Sequence, residues 1–153
     1  MNKMIRDVKP ELLKMLVQFD KENLGAGGLD EWSMVPAIRH GRVFARFDNE
    51  KLVASAQFLR DWDNPHLAYL IGVSVAKDSR GKGLGTELLK ESFIQLRSDG
   101  ITEIELTVSP DNHQAIDVYQ RKLGFVVREF RPNEYGDGED RLALVLIRDD
   151  SAS

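Results

Sequence analysis

Arg80-Gly81-Lys82-Gly83-Leu84-Gly85 lies between an apolar, strand-like stretch at residues 67–76 and a helix-like one at residues 86–97. A helix that begins just after such a loop turns unpaired N–H groups, and the positive end of its dipole, toward whatever lies in front. An anion suits that position, and glycine lets the backbone approach it because no Cβ intervenes. The run therefore reads as a phosphate-holding turn, although the same glycines would also serve a plain strand-to-helix turn in any α/β domain. Two common phosphate loops fail against the letters. A P-loop needs Lys-Ser or Lys-Thr after its last glycine, whereas Gly85 is followed by Thr86-Glu87 and Lys82 sits inside the loop. A dinucleotide-binding turn needs a glycine where Thr86 stands. A nucleotide binder of another α/β fold is accordingly disfavoured.

Outward from the loop, apolar periodicity sets the elements. Leu84, Leu88, Leu89, Phe93 and Leu96 make a broad stripe on the helix after it, which Asp99-Gly100 closes. Upstream, a strand at 4–8 precedes a helix that starts at Pro10 and carries Leu12, Leu13, Leu16 and Phe19 on one face. Gly25 to Gly28 end it, and Asp30 reads as the N-cap of a second helix with Trp32, Val35 and Ile38 as apolar contacts. Strands at 42–47 and 52–60 flank the turn-rich 48–51 and form an antiparallel hairpin. Beyond the loop come a strand at 104–108, a helix at 112–122, strands at 125–130 and 142–147, and a loose tail at 149–153. Hairpins first and strand-helix alternation later imply a mixed α/β sheet with helices on both faces.

At 153 residues with 42% apolar content, the chain fits a single domain spanning 1–153. A formal charge of −4 argues against a nucleic-acid surface. No apolar run approaches the ~20 residues of a membrane helix, and the first ten residues lack a signal peptide's apolar centre, so neither membrane nor export is expected and a cytoplasmic address follows. With no cysteine there is no disulfide, no thiolate metal ligand and no cysteine nucleophile to carry an acyl group. His40, His66 and His113 are far apart in sequence, and no metal is expected.

Arg80, Gly83 and Gly85 fill the pattern Arg/Gln-x-x-Gly-x-Gly/Ala. About thirty positions on stand the strand-like 104–108, then Asn112, Ala115, Ile116 and Tyr119, then Leu123-Gly124-Phe125. In that order and spacing the two blocks resemble the acyl-CoA motifs of the GNAT superfamily of N-acetyltransferases, and the resemblance covers about residues 42–147. It implies the GNAT fold, a mostly antiparallel mixed sheet splayed between its fourth and fifth strands. It also implies acetyl-CoA as co-substrate and direct acetyl transfer to a primary amine, either a protein or peptide amino terminus or a small-molecule amine. A GNAT-fold module that binds acyl-CoA as a sensor without turnover is the alternative. The assembly could be a homodimer.

The resemblance assigns roles to individual positions. Backbone N–H groups of Val73, Ser74 and Val75 would hold the thioester carbonyl or pantetheine arm. Arg80, Gly81, Lys82, Gly83, Leu84, Gly85 and Thr86 would hold the pyrophosphate. Tyr119 matches the tyrosine that faces the sulfur, and a phenol can protonate a departing thiolate; a core aromatic with its hydroxyl at the edge is the plain reading. Asn112 would meet CoA or serve as a helix N-cap.

The general base departs from the family pattern. The strand at 67–76 has no carboxylate, with Tyr69 in the usual place, and the glutamate of ribosomal-protein alanine N-acetyltransferases is replaced by Thr107. Glu105 projects from the same strand face as Thr107, which makes it a candidate base or water positioner, or an ordinary solvent-facing residue. Deprotonation through ordered water is a further route. The acidic segment 131–140 is similar to the acceptor loop of protein N-terminal acetyltransferases through Glu134-Tyr135 and Gly138-Glu139-Asp140. With Asp30, Glu31, Asp61 and Asp63 it could attract a cationic amine or simply be solvated. Trp32, Trp62 and His66 carry the same two readings.

Overall fold

Pro10 fixes the first turn of a helix, α1, at Pro10–Leu24, because its missing N–H is one that a helix start does not use. The computed structural model of the chain describes residues 1–148; the expected tail at 149–153 lies outside the described residues. The other elements are β1 (Asn2–Ile5), α2 (Glu31–His40), β2 (Arg42–Asp48), β3 (Lys51–Arg60), β4 (Leu67–Val75), α3 (Leu84–Ser98), β5 (Glu103–Val108), α4 (His113–Asp117), β6 (Val126–Arg131) and β7 (Arg141–Ile147). The strands run in the order β1-β2-β3-β4-β5-β7-β6, with β4 and β5 parallel.

Two compact units make up the described chain. The first, Met1–Leu59 with Ile71–Leu96, contains the antiparallel ladder in which Ile5 pairs with Val43 and Phe44 with Ala56. Its first strand is shorter and earlier than the expected 4–8, because pairing ends at Ile5 and Val8 instead packs against the core as the chain turns into α1. Leu16, Met34 and Val43 are fully buried there, and each such aliphatic side chain contributes roughly 1.5–3 kcal/mol by leaving water. Asp30 caps α2 by accepting from the Ser33 N–H at 3.0 Å. The buried stripe of that helix is Met34, Ala37 and Ile38; Trp32 falls on the opposite face and is 87% exposed. On α3 the buried face is Leu88, Leu89, Phe93 and Leu96, and the helix begins at Leu84 inside the glycine run, two residues ahead of the expected start.

The second unit takes Arg60–Leu70 and the chain from Arg97 onward. Ile104, Leu106, Phe125 and Leu144 are among its buried residues. β7 pairs antiparallel with β5 on one side and β6 on the other, with a register shift in β6 between Val127 and Glu129. Parallel pairing of β4 with β5 covers Leu67↔Glu103 to Tyr69↔Glu105 among the described residues, so most of β4 lies beyond the paired stretch. α4 is short because it widens at Val118–Lys122 into a π-helical turn that carries Tyr119. Among the described residues no helix is long and apolar enough to cross a membrane.

Candidate functional site

In the first unit the glycine run forms an open turn. Gly81 and Gly83 take φ of 80° and 77°, a left-handed region that costs other residues energy, and the space where a Cβ would stand is empty at both. The first helical bond of α3 runs from the Glu87 N–H to the Gly83 carbonyl at 3.0 Å, leaving the N–H groups of Leu84, Gly85 and Thr86 without helical acceptors. This is a cradle that fits a phosphate group, bare of side chains and ringed by donors. Arg80 and Lys82 are exposed beside it. Arg80 also donates from Nε to the Val75 carbonyl at 3.1 Å, tying the loop to the end of β4. The side chain of Ser74 is buried beside the Asp20 carboxyl, short of good hydrogen-bond geometry.

In the second unit the structure gathers three hydroxyls that lie far apart in sequence. Tyr69 Oη is 3.0 Å from Thr107 Oγ1 and 3.3 Å from Tyr135 Oη. Burial pushes the Tyr69 phenol up to about 12, reinforced by Tyr135 and Glu105, while the Thr107 hydrogen bond pulls the other way. Tyr135 is presented by a loop that is braced internally: Asn133, at φ 54°, accepts from the Gly138 N–H through its side chain, and its own N–H donates to Asp140 at 2.9 Å. The Arg141 guanidinium stacks 5.0 Å from the Tyr135 ring centroid.

The acidic residues of this region are largely engaged by neighbouring arginines. Glu105 shares the face of Thr107, as expected, but its carboxylate receives Arg131 Nη2 at 3.1 Å and lies 3.6 Å from Arg128 Nη1. Glu134 and Glu139 face Arg131 and Arg141 at 3.5 and 4.0 Å. His66 Nδ1 is 3.1 Å from the Gly100 carbonyl at a turn, and Trp62 is 99% exposed. Asn112 caps α4, accepting from the Ala115 N–H at 3.2 Å. Tyr119 packs edge-on against Phe125 at 5.8 Å, and its hydroxyl makes no protein hydrogen bond among the described residues. Burial raises the Tyr119 pKa, so the phenol keeps its proton at neutral pH and can donate it.

An open glycine turn ahead of a helix is followed along the chain by a strand, a capped helix and a half-buried tyrosine. The profile of the acetyltransferase (GNAT) family matches residues 10–125. The chain belongs to this family. It is therefore an N-acetyltransferase. An uncharacterized N-acetyltransferase of Methanocaldococcus jannaschii is 32% identical over 117 residues, covering 74% of this chain and 69% of that protein. N-alpha-acetyltransferase 30 of Schizosaccharomyces pombe is 27% identical over 105 residues, covering 67% and 69%. The crystal structure of the ribosomal-protein-S18-alanine N-acetyltransferase from Escherichia coli superposes with a TM-score of 0.76 at 25% identity, over 96% of this chain and 94% of that one. The GNAT fold read from the two sequence blocks is thus the fold of the protein.

Sequence reading missed the hydroxyl cluster of this N-acetyltransferase. The available signal is that neither the strand at 67–76 nor position 107 carries a carboxylate, Tyr69 and Thr107 standing there instead. Nothing in the letters joins them to Tyr135, 66 residues beyond Tyr69.

Proposed function

We propose that this N-acetyltransferase moves the acetyl group of acetyl-CoA directly to the amino terminus of a protein or peptide, and that its two units act as one acetyltransferase domain. The family match running through both units supports the second point. The observation that carries the cofactor reading is the cradle at Gly81–Thr86, whose open left-handed turn and free helix-start donors suit a pyrophosphate. Bound there, acetyl-CoA would supply an activated thioester. Backbone donors of Val73, Ser74 and Val75 would orient the carbonyl and stabilise its developing negative charge.

Transfer forms a nitrogen–carbon bond, breaks the carbon–sulfur bond, removes one proton from the amine and places one on sulfur. Tyr119 is assigned the proton to sulfur, because it holds its proton at neutral pH and its hydroxyl has no competing protein partner among the described residues. Glu105 is a weaker base candidate than its strand position suggested, since its carboxylate is occupied by Arg131 and Arg128. Loss of the amine proton is instead assigned to water held by the hydroxyls of Tyr69, Thr107 and Tyr135.

Products formed from acetyl-CoA with a panel of peptides of varied first residue and of small amines, read by mass, test the acceptor. Acetylated peptide amino termini are the expected result. Acetylation confined to small amines would replace the acceptor, and CoA binding without any product would favour a sensor module.

A further inference from the structure

Arg80 is fastened at a second point besides Val75. Its Nη2 donates to Asn23 Oδ1 at 3.2 Å, and the Asn23 amide is itself held on α1, Nδ2 donating to the Phe19 carbonyl at 2.8 Å. Asn23 is the penultimate residue of α1, so Arg80 grips the helix where the connector to α2 begins. The next residue, Leu24, lies against β4: a Cβ built on Gly72 would stand 3.3 Å from Leu24 Cδ1. The far end of the connector is held by Asp20, one helical turn earlier, whose fully buried carboxyl group accepts from the Leu29 N–H at 3.0 Å and from Gln57 Nε2 at 3.3 Å. Between these anchors run Gly25, Ala26, Gly27 and Gly28, a segment with little side chain to hold it.

A guanidinium has five N–H donors in a planar fork. Here Nε and Nη2 face the protein, while Nη1 has no protein partner among the described residues and is free to meet an anion. We propose that Arg80 couples occupancy of the phosphate loop to the order of the α1–α2 connector through Asn23. The inference rests on the pyrophosphate reading of residues 80–86. An anion seated there accepts from the remaining N–H groups of Arg80 and restrains the guanidinium, which keeps the bond to Asn23 closed. The last turn of α1 and the glycine segment then lose motion together. Asn23 is a positioning residue in this scheme. The segment it steadies starts beside Gly72, next to the strand residues assigned to the thioester arm, so the chain bordering that arm is firm when CoA is bound and looser when it is not.

Hydrogen–deuterium exchange on the full chain, with and without CoA, tests this in wild type, Asn23→Ala and Asn23→Asp. In wild type, CoA should slow exchange at both 80–86 and 24–29. Asn23→Ala should keep the protection at 80–86 and reduce the CoA-dependent part at 24–29 by about fivefold, the worth of one ordinary hydrogen bond. Asn23→Asp, which still offers Arg80 an acceptor, should retain it. A purely structural role for Asn23 would alter exchange at 24–29 equally with and without CoA. Wild-type CoA-dependent protection of 24–29 in Asn23→Ala, or protection of 80–86 without any at 24–29 in wild type, would overturn the coupling. Absence of protection at 80–86 in wild type would overturn the loop reading along with it.

Discussion

Tyr69 and Thr107 touch through their hydroxyls, 3.0 Å apart, at the level where β4 and β5 make their last observed pair, Tyr69↔Glu105. The contact joins two neutral hydroxyls from adjacent strands, and a third, from Tyr135, completes a short chain.

Removing the phenolic oxygen should slow transfer with little effect on cofactor binding. Tyr69→Phe is expected to lower kcat/KM for the acceptor about tenfold and to change CoA affinity less than about threefold, the scale of one polar contact to a bound water. Steady-state kinetics alongside calorimetry check it; an unchanged kcat/KM would take Tyr69 out of the reaction.

The same residue does not titrate in the working range, so the pH dependence falls to the acceptor amine. Because its pKa is pushed up to about 12, the Tyr69 phenol stays neutral across the working range and cannot act as an ionised base there. Transfer should therefore rise with pH as the acceptor amine loses its own proton, without a lower limb in the carboxylate range. A pH–kcat/KM profile with an acidic limb would contradict the water-mediated route.

Tyr119→Phe should lower turnover by about tenfold or more while leaving CoA affinity within about threefold, since the hydroxyl is needed as sulfur departs rather than in the ground state. Single-turnover rates with a fixed peptide give the answer, and turnover equal to wild type would remove Tyr119 from the mechanism.

At the phosphate loop, Gly83→Asp and Gly83→Asn separate charge from backbone strain. Asparagine tolerates a left-handed φ better than most residues, and both side chains have open space there. Gly83→Asn should weaken CoA binding modestly, whereas Gly83→Asp, with a carboxylate aimed at the pyrophosphate, should abolish it. Equal affinities would contradict the assignment.

Buried Asp20 makes a prediction about stability. Burial raises its pKa above the usual 3.8, more than the contacts with Leu29, Gln57 and Ser74 lower it. The folded state then holds the proton more tightly than the unfolded chain, so Asp20's contribution is most favourable below pH 3.8 and is lost as pH rises through the raised value. Asp20→Asn should remove that downward slope, with a flip of the Gln57 amide turning its partnerless Oε1 toward the new side-chain N–H. Denaturant unfolding of both proteins from about pH 4 upward measures it; identical slopes would mean Asp20 ionises without cost.

Much of this architecture was legible because it is written locally. The stripe of Leu88, Leu89, Phe93 and Leu96 keeps helical period, Asp30 and Asn112 are cap residues that do cap, and the glycines at 81 and 83 adopt the conformation only glycine takes easily. What stayed hidden depends on distant parts of the chain meeting. Asp20 reads as one more polar helix residue until Gln57 of β3 and Leu29 close over it. Tyr135 reaches Tyr69 because Asn133 turns left-handed and Asp140 braces the loop, neither of which has a period or a spacing to betray it. Glu105 lies on the strand face its spacing from Thr107 predicts, but its ion pair with Arg131 depends on how β6 pairs with β7.

Titration calorimetry of the whole chain with acetyl-CoA, and then a free-thiol assay in the same cell on adding peptide, tests the central claim most directly. Saturable binding and thiol release that depends on the peptide's free amino group are the expected result. No binding of acetyl-CoA would contradict the assignment of Arg80 to Thr86 as the pyrophosphate cradle, and with it the proposed reaction.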